Sequence, residues 1–223
     1  FTNHKGVTME ILYPLCKFSQ GLTLKVFSNY EVVGRENVPP MGSLVIVCNH
    51  MSNIDPSILS CAIPRRLRFL AKKSLFSGFP ISQMLKSYGA HPINRNGVDI
   101  AAIKWSTDIL SRDGALVIFP EGTRNGGKLI KGKHGVSRLI QMTGSTILPV
   151  GMTGTQNLDS LFRVVNPTGK ITVNIGTAFS LPSIEGKIDK PLLESMTNMI
   201  MQRISALLPD EYRGIYNLNQ QRP

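Results

Sequence analysis

Short runs of consecutive apolar residues constrain the fold of this 223-residue chain more than any other feature. Residues 44–48 and 115–119 are apolar throughout, and continuous runs of this length are typical of strands that are buried on both faces. Helical patterns lie between such runs, for example at residues 100–110. Strands that alternate with helices predict an α/β fold, here a single domain with a mostly parallel central sheet flanked by helices.

Polar residues directly follow several of these predicted strands. His50 comes just after residues 44–48, Glu121 comes just after residues 115–119, and Arg95 follows another predicted strand. In a parallel sheet the carboxyl ends of the strands meet at one edge, and ligands bind there. The sequence therefore predicts that His50, Arg95 and Glu121 converge on one site.

His50 and Asp55 form a candidate acid–base pair. Asp55 and Pro56 are typical of a helix start, with Asp at the N-cap and Pro at the first helical position, so His50 would lie in a strand-to-helix turn. Within a regular helix the two side chains would point to separate faces, but a turn lets the carboxylate hold one imidazole nitrogen. The other nitrogen could then take a proton from a substrate. A lone histidine after a strand is also compatible with a hydrogen-bonded core residue.

Four motifs occur in order along the chain. They are Asn-His-Met-Ser-Asn-Ile-Asp-Pro at 49–56, Gly-Ala-His-Pro-Ile-Asn-Arg at 89–95, Phe-Pro-Glu-Gly-Thr-Arg-Asn at 119–125 and Leu-Pro-Val at 148–150. Together they resemble the glycerolipid acyltransferase family, whose bacterial members make phosphatidic acid from lysophosphatidic acid. The resemblance covers residues 34–176.

The resemblance implies a 1-acylglycerol-3-phosphate O-acyltransferase. Such an enzyme moves a fatty acyl group from acyl-CoA or acyl carrier protein to the sn-2 hydroxyl of lysophosphatidic acid. His50 would be the general base, Asp55 would orient it, and the acceptor hydroxyl would attack directly without an acyl-enzyme. Neither a metal nor a cofactor is implied. The residues that the resemblance assigns to acceptor binding are Arg95, Glu121, Gly122, Thr123, Arg124 and Lys133.

Two of these residues allow more than one interpretation. As an anion, Glu121 cannot bind a phosphate directly, so we expect it to orient an arginine or a glycerol hydroxyl. An ion pair between Glu121 and Arg124 that closes the turn is the structural alternative. Backbone N–H groups near Asp55 or around Gly122 are candidate donors for the oxyanion of the reaction.

The chain departs from the family pattern in two motifs. His91-Pro92 stands where the family usually has an aromatic residue, and Asn94 stands where an Asp is common. Asn125 replaces the usual Ser after Arg124, a mild change because Asn can both donate and accept at a turn. The first departure bears on the choice of acceptor more than on the reaction.

Residues 1–29 are predicted to form an N-terminal amphipathic helical segment that precedes an acyltransferase domain at 30–223. An apolar stripe recurs there at helical spacing, interrupted by Pro14 and Gly21. The stripe either packs on the domain's own core or lies in a lipid interface with lysines toward the headgroups. The resemblance favours the membrane. The stripe consists of Ile11, Leu15, Phe18, Leu22 and Val26.

Charge and cysteine content limit the partners. The net charge of +11 predicts an anionic partner, such as nucleic acid, an acidic membrane surface or phosphorylated substrates. No nucleic-acid motif is present, so we expect a phospholipid surface and no nucleic acid. Three cysteines without close pairing indicate neither a disulfide framework nor a zinc site. No apolar run is long enough to span a membrane, and we expect peripheral or monotopic attachment to the cytoplasmic face of the cell membrane.

Two other functions remain open at this point. The same chemistry could act on glycerol-3-phosphate or on another lysophospholipid. From a different class, the chain could be a basic lipid- or nucleic-acid-binding module without catalysis, although binding alone does not require both His50 and Asp55 at this spacing.

Overall fold

The computed structural model describes residues 4–79, 81–94, 97–184, 186 and 188–217. For residues 4–11 and 161 it describes the backbone alone. The strands are β1 Ser28–Val33, β2 Leu44–Cys48, β3 Leu67–Lys72, β4 Ala90–Ile93, β5 Ala115–Ile118, β6 Thr146–Thr153 and β7 Gly169–Ile175. The helices are α1 His4–Phe27, α2 Asp55–Ala62, α3 Ile81–Ser87, α4 Ile100–Ser111, α5 Gly135–Thr143 and α6 Lys190–Ser205.

The strands form one sheet in the order β1-β7-β6-β2-β5-β3-β4. Neighbouring strands run parallel, except that β6 and β7 are antiparallel. Helices cover both faces, because each parallel connection has to cross the sheet. The predicted single α/β domain with a mostly parallel sheet is confirmed.

Strand β2 shows why its sequence is apolar throughout. Leu44, Ile46 and Cys48 point into a core shared with α2, whereas Val45 and Val47 point into a second core shared with α5 and α6. All five side chains are buried. A strand in the middle of a sheet that is covered on both sides has no solvent-facing position, so the residues alternate between two apolar cores.

Helix α1 turns its apolar stripe away from the protein. Leu15, Phe18, Leu22 and Val26 are 52–71% exposed, while Leu24 is fully buried; the side chain of Ile11, the fifth member of the stripe, lies outside the described residues. The interpretation of the stripe as packing on the domain's own core is therefore wrong. Buried side chains on the opposite side of the helix hold it against the domain instead.

Two polar side chains on that buried side of α1 were not predicted to face the protein. Gln20 donates to the carbonyl of Val164 and accepts from Ser57. Lys17 donates to the carbonyl of Ile63 at 2.9 Å, so this lysine is directed to the domain. No helix in the described residues is long and apolar enough to cross a membrane.

The N-terminal caps of two helices differ. At α6 the N-cap is Asp189, whose side chain accepts from the N–H of Leu192. At α2 the predicted Asp55 cap is wrong, because Ile54 is the N-cap and Asp55 is already the first helical residue. The carboxylate of Asp55 points back into the preceding turn.

Candidate active site

His50 and Asp55 meet across the turn between β2 and α2. His50 Nδ1 lies 2.8 Å from Asp55 Oδ2, and the backbone N–H groups of Met51 and Ser52 donate to the same oxygen at 2.7 and 2.8 Å. Asp55 is completely buried. Three donors on one buried carboxylate oxygen fix its position, and that position orients the imidazole.

The imidazole of His50 is supported on its face as well as at Nδ1. The Phe119 ring stacks on it with centroids 4.0 Å apart and an angle of 17° between the planes. The His50 side chain keeps 13% of its surface exposed, and Nε2 makes no hydrogen bond within the described residues. The nitrogen opposite Asp55 is therefore the one positioned to exchange a proton with a substrate.

Glu121 is buried beside this turn. One carboxylate oxygen accepts from the N–H of His50 at 3.0 Å, and the other accepts from the N–H of Ile130 at 3.1 Å and from the Asn125 side chain. Burial raises the pKa of Glu121 to about 7, although these donors act in the opposite direction. Arg124 pairs with Asp159 and not with Glu121, so the interpretation as a Glu121–Arg124 ion pair that closes the turn is wrong. The expectation that Glu121 orients an arginine or a glycerol hydroxyl stays a prediction.

Arg124 lies on the surface next to the His50 turn. Its guanidinium pairs with Asp159 at 2.9 Å, and both side chains are about half exposed. Asp159 also accepts from the N–H of Asn53, at 3.3 Å, and its carbonyl accepts from the Asn53 side chain. The ion pair thus connects the 119–125 motif to the 49–56 motif.

Gly122 and Lys133 lie in direct contact. Gly122 has φ +69°, a backbone conformation that favours glycine, and a Cβ there would be 2.8 Å from the Lys133 side chain. Thr123 is exposed, and its hydroxyl makes a long hydrogen bond to the carbonyl of Arg124. The remaining predicted acceptor residue, Arg95, lies outside the described residues, just past the end of β4.

The backbone N–H groups expected to bind an oxyanion already have partners. Those of Asp55 and Ser57 donate to the carbonyls of Ser52 and Ile54, and that of Gly122 donates to the carbonyl of Phe119 at 3.0 Å. These particular amides are therefore committed to closing their own turns.

A cavity of about 490 Å³ opens beside the site. Phe119, Gly122 and Lys133 line the end that adjoins His50, and apolar residues of α4 and α5, including Ala102 and Leu139, line the rest. Its apolar wall and its size are typical of a pocket for an apolar ligand.

Comparison with known proteins identifies the family. The acyltransferase family model matches residues 29–153, more than half of the chain. This chain belongs to the acyltransferase family. The match contains the His50–Asp55 turn and the 119–125 motif.

Relatives of this acyltransferase carry consistent names. It is 28% identical over 197 residues to the 1-acyl-sn-glycerol-3-phosphate acyltransferase of Bacillus subtilis, covering 88% of this chain and 96% of that protein. The protein of that name from Borreliella burgdorferi is 35% identical over 129 residues, 56% of this chain and 52% of that protein.

One solved structure supports the fold. The 1-acyl-sn-glycerophosphate acyltransferase of Thermotoga maritima superposes with a TM-score of 0.67 at 22% identity, over 90% of this chain and 80% of that one. At this level of identity the likeness concerns the architecture alone.

Three site residues of the acyltransferase were missed by sequence reasoning. Asn49 joins β2 to β6 by exchanging hydrogen bonds with the backbone of Met152, Asn125 joins the 119–125 motif to the His50 turn, and Asp159 pairs with Arg124. Asn49 and Asn125 lie inside recognised motifs, so their positions were a usable signal. Asp159 lies in a polar loop without a motif, and nothing in the sequence singles it out.

Proposed function

We propose that this acyltransferase moves a fatty acyl group from a thioester donor to the sn-2 hydroxyl of 1-acyl-glycerol-3-phosphate and so forms phosphatidic acid. The observation that carries this proposal is the His50–Asp55 pair, buried on the Asp side and open at Nε2. The names of the relatives supply the acceptor. The donor is acyl-CoA or acyl carrier protein, since both present the same phosphopantetheine thioester.

The reaction needs a base because an alcohol is scarcely ionised at neutral pH. His50 Nε2 takes the hydroxyl proton while the hydroxyl oxygen bonds to the thioester carbonyl carbon, and Asp55 stabilises the imidazolium that forms. When the tetrahedral intermediate collapses, the carbon–sulfur bond breaks and the imidazolium returns the proton to the thiolate. The acceptor itself is the nucleophile, so no acyl-enzyme forms.

The acceptor's phosphate is bound by cationic side chains beside His50. Arg124 presents a half-exposed guanidinium, and arginine matches phosphate oxygens with two parallel donors. Lys133 lies against Gly122 at the mouth of the cavity, close enough to add a second charge. Arg95, by family resemblance, completes this group.

The acyl chain of the donor occupies the cavity lined by α4 and α5. Phe119 borders that cavity and also stacks on His50, so a chain bound there would place its thioester next to the base. The apolar wall of the cavity excludes water from the thioester, which favours acyl transfer to the alcohol over hydrolysis.

The exposed face of α1 supports attachment to a membrane surface. Four large apolar side chains on one helical face are exposed together, and burying each in lipid contributes about 1.5–3 kcal/mol. The net charge of +11 adds attraction to anionic headgroups. We propose peripheral attachment at the cytoplasmic face, where both the thioester donors and the lysolipid are accessible.

His50→Ala tests the reaction. Loss of the base should lower kcat by about 10²–10⁴-fold with both substrates, while the thermal unfolding midpoint stays close to that of the wild type. The assay uses lysophosphatidic acid in vesicles and in detergent, with acyl-CoA and acyl carrier protein donors compared. An unchanged rate in this variant would rule out His50 as the general base.

A panel of acceptors tests the substrate. Lysophosphatidic acid should be preferred over lysophospholipids whose phosphate carries a further headgroup, because Arg124 then loses part of the charge it binds. Comparable rates for glycerol-3-phosphate would favour the alternative acceptor.

Mass spectrometry of enzyme incubated with donor alone should detect no acyl adduct.

A further inference from the structure

The loop after β5 holds the main chain of His50 on both sides. The N–H of His50 donates to Glu121 Oε1 at 3.0 Å. The carbonyl of His50 accepts from the N–H of Asn125, also at 3.0 Å. The Asn125 side chain donates to Glu121 Oε2. His50, Glu121 and Asn125 thus form a closed ring of hydrogen bonds that holds the backbone of His50 in the turn after β2.

This ring controls a degree of freedom that Asp55 does not. Asp55 fixes the rotation of the imidazole, but it belongs to the same turn as His50 and moves with it. Glu121 and Asn125 come from a different strand connection, 71 residues or more along the chain. They therefore fix the position of the His50 backbone relative to β5, the cavity and Arg124.

Asn125 is the residue that closes the ring. Its backbone N–H, its side-chain amide N–H and its side-chain oxygen are all used, the last accepting from the N–H of Gly127 at 2.9 Å. Without the Asn125 side chain, Glu121 would hold only the N–H of His50. The His50 carbonyl would still accept from the N–H of Asn125, but the side-chain hydrogen bond that fixes Asn125 to Glu121 would be lost.

The other polar neighbours of the ring do not replace it. The N–H of Ile130 shares Glu121 Oε2, which anchors the carboxylate but does not reach His50. Arg124 is directed to Asp159 on the surface. Among the described residues, the link between the His50 carbonyl and the buried carboxylate passes through Asn125.

We propose that Asn125 is a positioning residue for the catalytic base: by joining the His50 carbonyl to the Glu121 carboxylate, it fixes where the imidazole stands relative to the two substrate sites. This inference rests on the proposed function only for the identity of the base. It assigns a chemical role to a position where the family usually has Ser.

Kinetics of three variants test the proposal. Asn125→Ala should lower kcat about tenfold to a hundredfold, the loss typical of a displacement near 1 Å, with each KM changed less than about threefold. Asn125→Ser keeps a side-chain donor and should retain most of the wild-type kcat. Asn29→Ala, an exposed asparagine on edge strand β1, is the matched control and should match the wild type.

Two kinetic results would overturn the proposal. A loss confined to the KM for lysophosphatidic acid would show that Asn125 serves the acceptor loop and not the base. Equal losses in the Ala and Ser variants would show that the side-chain donor is not the cause. The Ser variant also keeps the test open if Asn125→Ala fails to fold.

Nuclear magnetic resonance of the imidazole gives a readout that does not need turnover. The carbon-bound protons of the His50 ring lie over the ring of Phe119, the residue after β5, and should give an upfield-shifted signal in wild-type and Asn29→Ala protein, a signal that reports the position of the imidazole relative to β5. In Asn125→Ala it should broaden or shift while the unfolding midpoint falls by only a few degrees. An unchanged signal would overturn the positioning role even if His50 proved to have no part in acyl transfer, so the two failures are distinguishable.

Discussion

At the scale of single residues, the site contains two buried carboxylates with different surroundings. Asp55 accepts two backbone donors from its own tight turn together with His50. Glu121 is held by donors from the His50 turn and from Asn125 and Ile130 of its own loop, and burial raises its pKa to about 7. The first arrangement is built into one local turn, whereas the second depends on two distant segments meeting correctly.

Glu121 should make stability depend on pH. Its folded-state pKa exceeds the ordinary 4.5, so its contribution is fully present below about pH 4.5 and is lost as pH rises toward 7. The free energy of unfolding should therefore fall by up to about 3 kcal/mol over this interval through this group. Glu121→Gln should flatten that slope.

Denaturant unfolding of the wild type and the Gln variant, measured in parallel from pH 4.5 to 7.5, isolates this contribution from other titrating groups. Parallel stability curves for the two proteins would contradict the expectation and would mean that the carboxyl group is ionised throughout.

At the scale of elements, α1 shows that a helical stripe does not reveal which face it buries. The periodicity of Leu15, Phe18, Leu22 and Val26 is correct, but this face is exposed, and the helix docks through Tyr13, Gln20 and Leu24 instead. An exposed apolar face on an otherwise docked helix needs another apolar medium to cover it.

Charges on the exposed face should separate membrane binding from folding. The double variant Phe18→Asp and Leu22→Asp should bind vesicles at least tenfold more weakly, because two apolar insertions are lost, with little change in unfolding temperature. Met199→Asp, a half-exposed apolar position on α6 across the sheet, is the matched control. Equal sedimentation of all three proteins with vesicles would count against α1 as the contact.

Helix α4 should set the length of acyl chain that the cavity accepts. Ala102 is buried and lines the cavity, so Ala102→Leu should narrow it and shift the donor preference toward shorter chains by about tenfold or more. Ala101→Leu on the exposed side of the same helix is the control. Rates with long- and short-chain donors measure the ratio, and an unchanged ratio would place the acyl chain elsewhere.

At the scale of the whole molecule, the net charge should govern attachment to lipid. With a net charge of +11, binding to anionic vesicles should weaken as salt rises, since screening shortens the range of charge interactions to about 8–10 Å near physiological ionic strength. Binding to neutral vesicles should depend on the apolar face of α1 and respond little to salt.

Vesicle flotation at several salt concentrations checks this expectation, with a duplex DNA of random sequence as the competing anion. Salt-dependent binding to DNA without binding to vesicles would favour the non-catalytic basic module over the acyltransferase on a membrane.

The order of elements and the His50–Asp55 pairing could be predicted because both are local. A strand buried on two faces needs an unbroken apolar run, as in β2, and a five-residue gap across a turn limits where Asp55 can point. The predicted convergence at one sheet edge followed from the parallel connections, and His50 and Glu121 do meet there. The boundary predicted at residue 29 and the acceptor-binding roles stay predictions.

The sequence by itself determined the alternation of strands and helices and the turn that joins His50 to Asp55, since periodicity and short-range geometry act between neighbouring residues. Only the tertiary structure decided that Glu121 holds a backbone amide, that Asp159 pairs with Arg124, and which face α1 leaves exposed. Those contacts join residues far apart along the chain, and their partners depend on how the layers pack. No local pattern contains that information.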